Sequence, residues 1–195
     1  MIAEIDLLRH GPTTADGRLL GRGDAPLTAD AVDLLRAQAA RRRWRTIITS
    51  PLGRATASAA VVGAELDVAP RVDADWREID FGDWEGRKIS ELQGTTFDAF
   101  LKDPATTAPP GGEAWPVFLD RVSRALDRAA ADCDRAPTVV VTHAGAMRAA
   151  LAATTGLTFD HLWRLRLACA TRVTLRFGRS DVGDRWGEIV EIVQP

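Results

Sequence analysis

Apolar and polar positions along this chain fall into blocks that switch between a strand rhythm and a helix rhythm. Ile2, Ile5, Leu7 and Leu8 form an apolar run stopped by Gly11-Pro12, which predicts a buried strand over 3–9 and a loop to about 26. Ala31, Leu34, Leu35 and Ala39 share one helical stripe, predicting a helix over 28–43. Thr46-Ile47-Ile48-Thr49 predicts a short strand. Ser50 as N-cap and Pro51 as first helical residue then predict a helix over 51–64, with a strand near 67–72. After an irregular stretch, Trp115, Phe118, Leu119, Val122, Ala125, Leu126, Ala129 and Cys133 keep the i, i+3, i+4 spacing of a long helix. Thr138 to Thr142 is a β-branched strand. Met147, Ala150 and Leu151 mark a helix over 145–154 closed by Gly156, and 171–177 and 188–193 are the final strands. Strands alternating with helices predict an α/β fold with a mainly parallel sheet covered on both faces. The last two strands leave room for an antiparallel pair.

A chain of 195 residues suits a single domain, 1–195, with a sizeable core and a cap-like insertion at about 76–112. Trp84, Phe97, Phe100 and Trp115 have two readings, an aromatic lid over a ligand or a small satellite core under a long loop. Pro109-Pro110-Gly111-Gly112 looks like a stiff hinge. With 25 Lys and Arg against 27 Asp and Glu, the formal charge of −2 offers no broad basic surface, so no nucleic-acid partner is expected. Arg41-Arg42-Arg43 with Arg45 is read as the cationic end of the 28–43 helix, opposite Asp30 and Asp33 in its first turn. Cys133 and Cys169 lack metal-ligand spacing. With no signal peptide and no long apolar span, they predict reduced thiols in a cytoplasmic protein with no membrane role. The pattern leaves the oligomeric state open.

The candidate chemistry gathers at strand ends. Arg9-His10-Gly11 follows the first strand directly, at the sheet edge where open α/β folds usually bind ligands. Arg9 supplies a planar fork of donors suited to phosphate oxygens, and the imidazole beside it can act as nucleophile or base. Arg54 lies about one turn into the helix after the 46–49 strand, with that helix's positive end at the same edge. His143-Ala144-Gly145 repeats the placement of His10 after another strand. Between them, Trp76-Arg77-Glu78-Ile79-Asp80-Phe81-Gly82-Asp83-Trp84-Glu85-Gly86 is aromatic and acidic. His161 stands in no motif and is taken as structural. His10, His143 and His161 show no His-x₃-His or Cys pairing, and arginines flank the anion site, so neither a metal nor another cofactor is expected.

Taken in order over nearly the whole chain, Arg9-His10-Gly11, Ser50 to Arg54, Trp76 to Gly86 and His143-Ala144-Gly145 resemble the histidine phosphatase superfamily, the phosphoglycerate mutase-like proteins. The resemblance implies a three-layer α/β/α sandwich. It also implies that His10 takes the phosphoryl group, that Arg9, Arg54 and His143 neutralise its oxygens, and that Glu78 is the proton donor. Thr13 matches a hydroxyl residue that contacts phosphate, and Gly21 falls at the glycine of a Gly-x-x-Asp-x-x-Leu pattern, here Gly21 to Leu27. Asp16 departs from the pattern, since relatives commonly carry asparagine there. Its charge would repel a phosphate dianion if it pointed inward, so it is left out of the expected site.

A phosphate monoester is a dianion with a sluggish centre, so the protein's contribution is positioning and positive field. That field also lowers the pKa of His10 toward the neutral ring that attack requires. Glu78 could serve both as acid for the leaving alkoxide and as base for water. Phe81 to Gly86 with Gly111-Gly112-Glu113 looks most like the small bacterial phosphatases of this superfamily, α-ribazole phosphatases among them, so the expected partner is a small phosphorylated substrate such as α-ribazole 5′-phosphate. A mutase is the enzymatic alternative, but residues 85–113 carry only Arg87, Lys88 and Lys102 to hold a second acidic group. A non-catalytic phospho-ligand binding module is the other alternative. It would be expected to have lost His10 or an arginine.

Overall fold

The computed structural model describes residues 2–15, 17–133, 135–181 and 183–195. Six strands, β1 (Ile2–Arg9), β2 (Thr46–Thr49), β3 (Arg71–Val72), β4 (Thr138–Thr142), β5 (Arg172–Arg179) and β6 (Arg185–Val193), form one sheet in the order β3-β2-β4-β1-β5-β6. β3, β2, β4 and β1 run parallel, while β5 pairs antiparallel with β1 and β6 antiparallel with β5. The mainly parallel sheet follows the sequence pattern, and the antiparallel terminal pair is the alternative that the pattern left open.

β1 is central because its side chains are apolar on both faces. Leu7 lies between Val140 of β4 and Val173 of β5, and Leu7 and Leu8, pointing to opposite sides, are both fully buried. Each such burial contributes about 1.5–3 kcal/mol. Leu8, Val139, Val141 and Ile47 pack against α1 (Ala31–Ala39) and α2 (Gly53–Leu66). Ile5, Leu7 and Val140 pack on the other side against α5 (Trp115–Cys133) and α6 (Ala144–Thr155), completing the three layers.

Several boundaries move for physical reasons. α1 is shorter than 28–43. The Thr28 N–H and hydroxyl both donate to the Pro12 carbonyl, at 2.9 and 3.2 Å, and hold the entry out of the helix. At the other end Arg42 leaves the helix to pair with Asp6 and Glu191, so the arginine run lies beyond α1 rather than forming its last turn. α2 begins at Gly53, not Pro51, because Asp24 caps it from a distant loop: its carboxylate accepts from the Gly53 N–H and from the Arg54 N–H at 3.0 Å. Ser50 stands outside the helix, although its Oγ still accepts from the Leu52 N–H at 3.3 Å. The 76–112 stretch carries two short helices that periodicity did not mark, α3 (Ile89–Leu92) and α4 (Thr96–Lys102), and a further one, α7 (Phe159–Trp163), follows α6.

Of the two readings of the aromatics, the structure favours the satellite core. Trp84 meets Phe97 and Phe100 edge-on at 5.3 and 5.6 Å, and Phe159 of α7 meets Phe100 and Trp115 at 6.0 and 5.0 Å. All of them join the apolar cluster on the α5–α6 side. Among the described residues, no helix is long and apolar enough to cross a membrane.

Candidate active site

The carboxyl end of β1 is held from both neighbours. The Arg9 N–H donates to the Thr171 carbonyl (2.9 Å), the His10 N–H to the Thr142 carbonyl (2.9 Å), and the His10 carbonyl accepts from the Ala170 N–H (3.0 Å). The chain then turns at Gly11, where a Cβ would lie 2.9 Å from the Cβ of Ala31, so only glycine lets α1 approach this closely. The Gly11 N–H donates to Ser58 Oγ (3.0 Å), and Ser58 donates to the Arg54 carbonyl (2.7 Å), tying the turn to the first turns of α2.

His10 is 6% exposed. Its Nδ1 lies 2.7 Å from the Gly11 carbonyl, an acceptor, so Nδ1 carries the proton and Nε2 keeps the lone pair when the ring is neutral. Burial, then Arg9, and more weakly Arg54, push this imidazole down to about 3 against the opposing effect of the Gly11 carbonyl. The ring is therefore neutral at physiological pH.

His143, the residue preceding α6, packs its ring 5.3 Å from that of His10. Burial first, then Arg54, His10, Arg9 and Arg121, hold it well below its usual range. Its Nε2 lies 2.8 Å from Ser50 Oγ. In the neutral tautomer that accepts from this hydroxyl, Nδ1 carries a proton, and that atom is buried without a partner among the described residues.

Arg54 is 2% exposed, buried although it stands in the first turn of α2. Nη1 donates to the Gly23 carbonyl (2.6 Å), Nη2 donates to the Leu20 and Gly21 carbonyls (both 3.0 Å), and Asp24 lies 3.4 Å away. Its Nε, like that of Arg9, is buried with no partner among the described residues. Arg9 is held through Nη1 by the Leu167 carbonyl at 2.5 Å. Glu78, 7% exposed, accepts from the Ile79 N–H through Oε1 and from the Gly145 N–H through Oε2, both at 2.9 Å.

These side chains open onto a cleft of about 390 Å³ lined by Arg9, His10, Thr13, Arg54 and Glu78, with Arg18, Asp30 and Cys169 further out. Among the described lining residues there is no tryptophan or phenylalanine. His143 packs against His10 and is not among the described lining residues. Gly21 lies off the cleft, and its N–H is already donated to both oxygens of Glu85 at 3.0 Å. A Cβ at this position would run into the Ile79 carbonyl and Glu85, so the glycine is required by packing. His161 is exposed on α7, its Nδ1 2.8 Å from Thr158 Oγ1, far in role from the cleft. Asp16 lies outside the described residues.

Sequence reasoning missed Asp24, Ser50 and Glu85 as parts of this architecture, and Arg148. That arginine stacks on Trp163 at 4.7 Å and donates to the Leu162 and Leu165 carbonyls; burial pushes it down to about 10 while Glu78 opposes the shift. A signal existed for Asp24, since it is the aspartate of the Gly21 to Leu27 pattern.

A strand-end histidine backed by a second histidine and flanked by two arginines, on a three-layer α/β/α sandwich, defines the phosphoglycerate mutase-like class. The chain belongs to the histidine phosphatase superfamily (branch 1), whose family model matches residues 5–186. It is 33% identical over 179 residues to the glucosyl-3-phosphoglycerate phosphatase of Mycolicibacterium vanbaalenii, covering 82% of this chain and 77% of that one. It is 27% identical over 169 residues to the adenosylcobalamin/alpha-ribazole phosphatase of Escherichia coli, covering 83% of each. Among solved structures it superimposes on a mycobacterial glucosyl-3-phosphoglycerate phosphatase with a TM-score of 0.84 at 25% identity, covering 97% of this chain and 98% of the other.

Proposed function

We propose that the protein is a cytoplasmic phosphomonoesterase that hydrolyses a small phosphorylated metabolite through a phosphohistidine on His10. One observation carries this reading: a neutral imidazole, its Nδ1 fixed by the Gly11 carbonyl, stands in a cleft whose nearest charges are Arg9 and Arg54. In the first step the Nε2 lone pair attacks phosphorus and the bond to the leaving oxygen breaks, with Glu78 giving that oxygen a proton. In the second, water attacks phosphorus while Glu78 takes its proton, the nitrogen–phosphorus bond breaks, and phosphate leaves with His10 neutral again. The unpartnered donors of Arg9, Arg54 and His143, together with the Thr13 hydroxyl, are the groups available to the phosphoryl oxygens. Gly21 acts one step back, by holding the loop whose carbonyls orient Arg54.

Hydrolysis is favoured over mutase transfer because Arg87, Lys88 and Lys102 are all exposed and none lines the cleft. The wall also carries Arg18, Asp30 and Thr28, partners for a hydroxyl-rich or acidic leaving group of the sugar or glycerate type, and among the described lining residues there is no large aromatic on which a base could stack. A panel of phosphorylated metabolites, including sugar phosphates, 3-phosphoglycerate and α-ribazole 5′-phosphate, tests this by release of free phosphate and by isomerised product. Sugar or glycerate phosphates should be hydrolysed fastest. Isomerisation of phosphoglycerate faster than phosphate release would make the protein a mutase, and tight binding without turnover of any member would make it a binding module.

A further inference from the structure

Glu78 lies in a segment without regular structure, yet the main chain around it is tied down at the carbonyls of Asp75, Arg77 and Glu78. The cause is one side chain from α5. Arg121 is 5% exposed and uses each of its five N–H groups. Nη1 donates to the carbonyls of Asp75 (2.7 Å) and Arg77 (2.8 Å), and Nη2 to the carbonyl of Glu78 itself (2.9 Å). Nε and the other Nη2 proton go to the two oxygens of Glu113, both at 2.7 Å. Its guanidinium lies 4.5 Å from the centre of the Phe118 ring.

Glu113 is itself anchored. Its N–H donates to the Asp80 carbonyl (2.9 Å), its carboxylate accepts from the Asp80 N–H (3.4 Å), and Arg22 approaches Glu113 and Asp80 at 3.7 and 3.6 Å. Arg22 comes from the loop whose carbonyls hold Arg54, so the same carboxylate touches both the phosphate side and the Glu78 side of the cleft.

We propose that Arg121 and Glu113 are a positioning pair that sets the reach of Glu78 toward the leaving oxygen. The proposal rests on the reading of Glu78 as proton donor. The carboxyl tip of Glu78 is held from α6 by Gly145, while its main chain is held from α5 by Arg121, so the two ends are fixed by different helices. Three carbonyls converging on one guanidinium need a planar fork of five donors, and a lysine supplies three without the fork. Loss of the pair therefore leaves Glu78 bonded at its tip and displaced along its main chain. A misplacement of about 1 Å is worth on the order of 10²-fold in a step that depends on alignment.

The test is a double-mutant cycle on single-turnover rates with an alkyl phosphate and with p-nitrophenyl phosphate, whose leaving group departs with little need of a proton. Arg121→Lys, Glu113→Gln, Glu78→Gln and the double variant Glu78→Gln/Arg121→Lys are compared, with inorganic phosphate affinity and thermal unfolding measured on each. Arg121→Lys and Glu113→Gln should each slow the alkyl phosphate by roughly 10–100-fold and the aryl phosphate by less than about threefold, with phosphate affinity kept. The double variant should be no slower on the alkyl phosphate than Glu78→Gln alone, because the arginine acts through the acid. Equal losses on both substrates, additive losses in the double variant, or no loss in folded single variants would overturn the positioning role. If Glu78→Gln itself shows no preference between the substrates, the acid assignment fails first and the positioning role falls with it. Should Arg121→Lys not fold, Glu113→Gln, which withdraws one of the two carboxylate oxygens that aim the Arg121 guanidinium, decides the matter.

Discussion

Arg54 does two jobs at once. It brings positive charge to the cleft, and it holds together the loop from Leu20 to Asp24 by donating to three carbonyls. Arg54→Ala should lower kcat/KM by roughly 10²–10³, the cost of losing one preorganised donor to developing charge. It should also destabilise the protein by about 1–3 kcal/mol for each carbonyl left buried and bare. Kinetics paired with urea unfolding check both parts, and a variant of unchanged stability would show the loop to be self-supporting. At this scale the sequence disclosed which residues gather at the cleft's strand ends, because Arg9-His10-Gly11 and His143-Ala144-Gly145 are contiguous and end apolar runs. It did not disclose Arg54's burial. That depends on carbonyls more than thirty residues away in the chain, and on Asp24 capping a helix from another loop.

At the scale of elements, α6 holds Glu78, the proposed acid, through its first turn. Gly145 donates its N–H to Glu78 Oε2, and a Cβ built on Gly145 would overlap the same carboxylate. Gly145→Ala should therefore push Glu78 out of place and slow an alkyl phosphate by roughly 10–10²-fold, with the helix kept because alanine is the better helix former. Single-turnover rates and circular dichroism would show it; full activity would mean that Glu78 reaches the leaving oxygen from another rotamer. Long elements with a clear period, such as β1, β4, α5 and α6, were legible in the sequence. α3, α4 and α7 were not, since four to seven residues hold too little of a helical period, and they form because Leu92, Phe97, Phe100, Phe159 and Leu162 are pulled into one apolar cluster. The same long-range packing turned the supposed lid aromatics inward.

For the whole molecule, two buried neutral histidines make stability depend on pH. In the unfolded chain His10 titrates near its ordinary 6.5, whereas in the fold it is pushed down to about 3, and His143 is shifted in the same direction. Below pH 6.5 the unfolded state binds the extra protons, so stability is full above that value and falls as the pH drops toward 3. The slope is up to about 1.4 kcal/mol per pH unit for each histidine. Urea midpoints between pH 4 and 7.5 should therefore show a shallower decline for His10→Ala than for the parent, and parallel curves would argue against a neutral buried His10. The alternation of strands and helices made the three layers readable in advance, while the antiparallel β5–β6 pair could only be left open, because strand direction at a chain terminus is set by neighbours and not by period.

The central claim is the covalent intermediate on His10. Rapid quenching with substrate labelled in the phosphoryl group should trap up to one label per chain, stable to alkali and released by acid, and His10→Ala should trap none. Turnover by His10→Ala at the parent rate, or an acid-labile label that persists in that variant, would contradict the account.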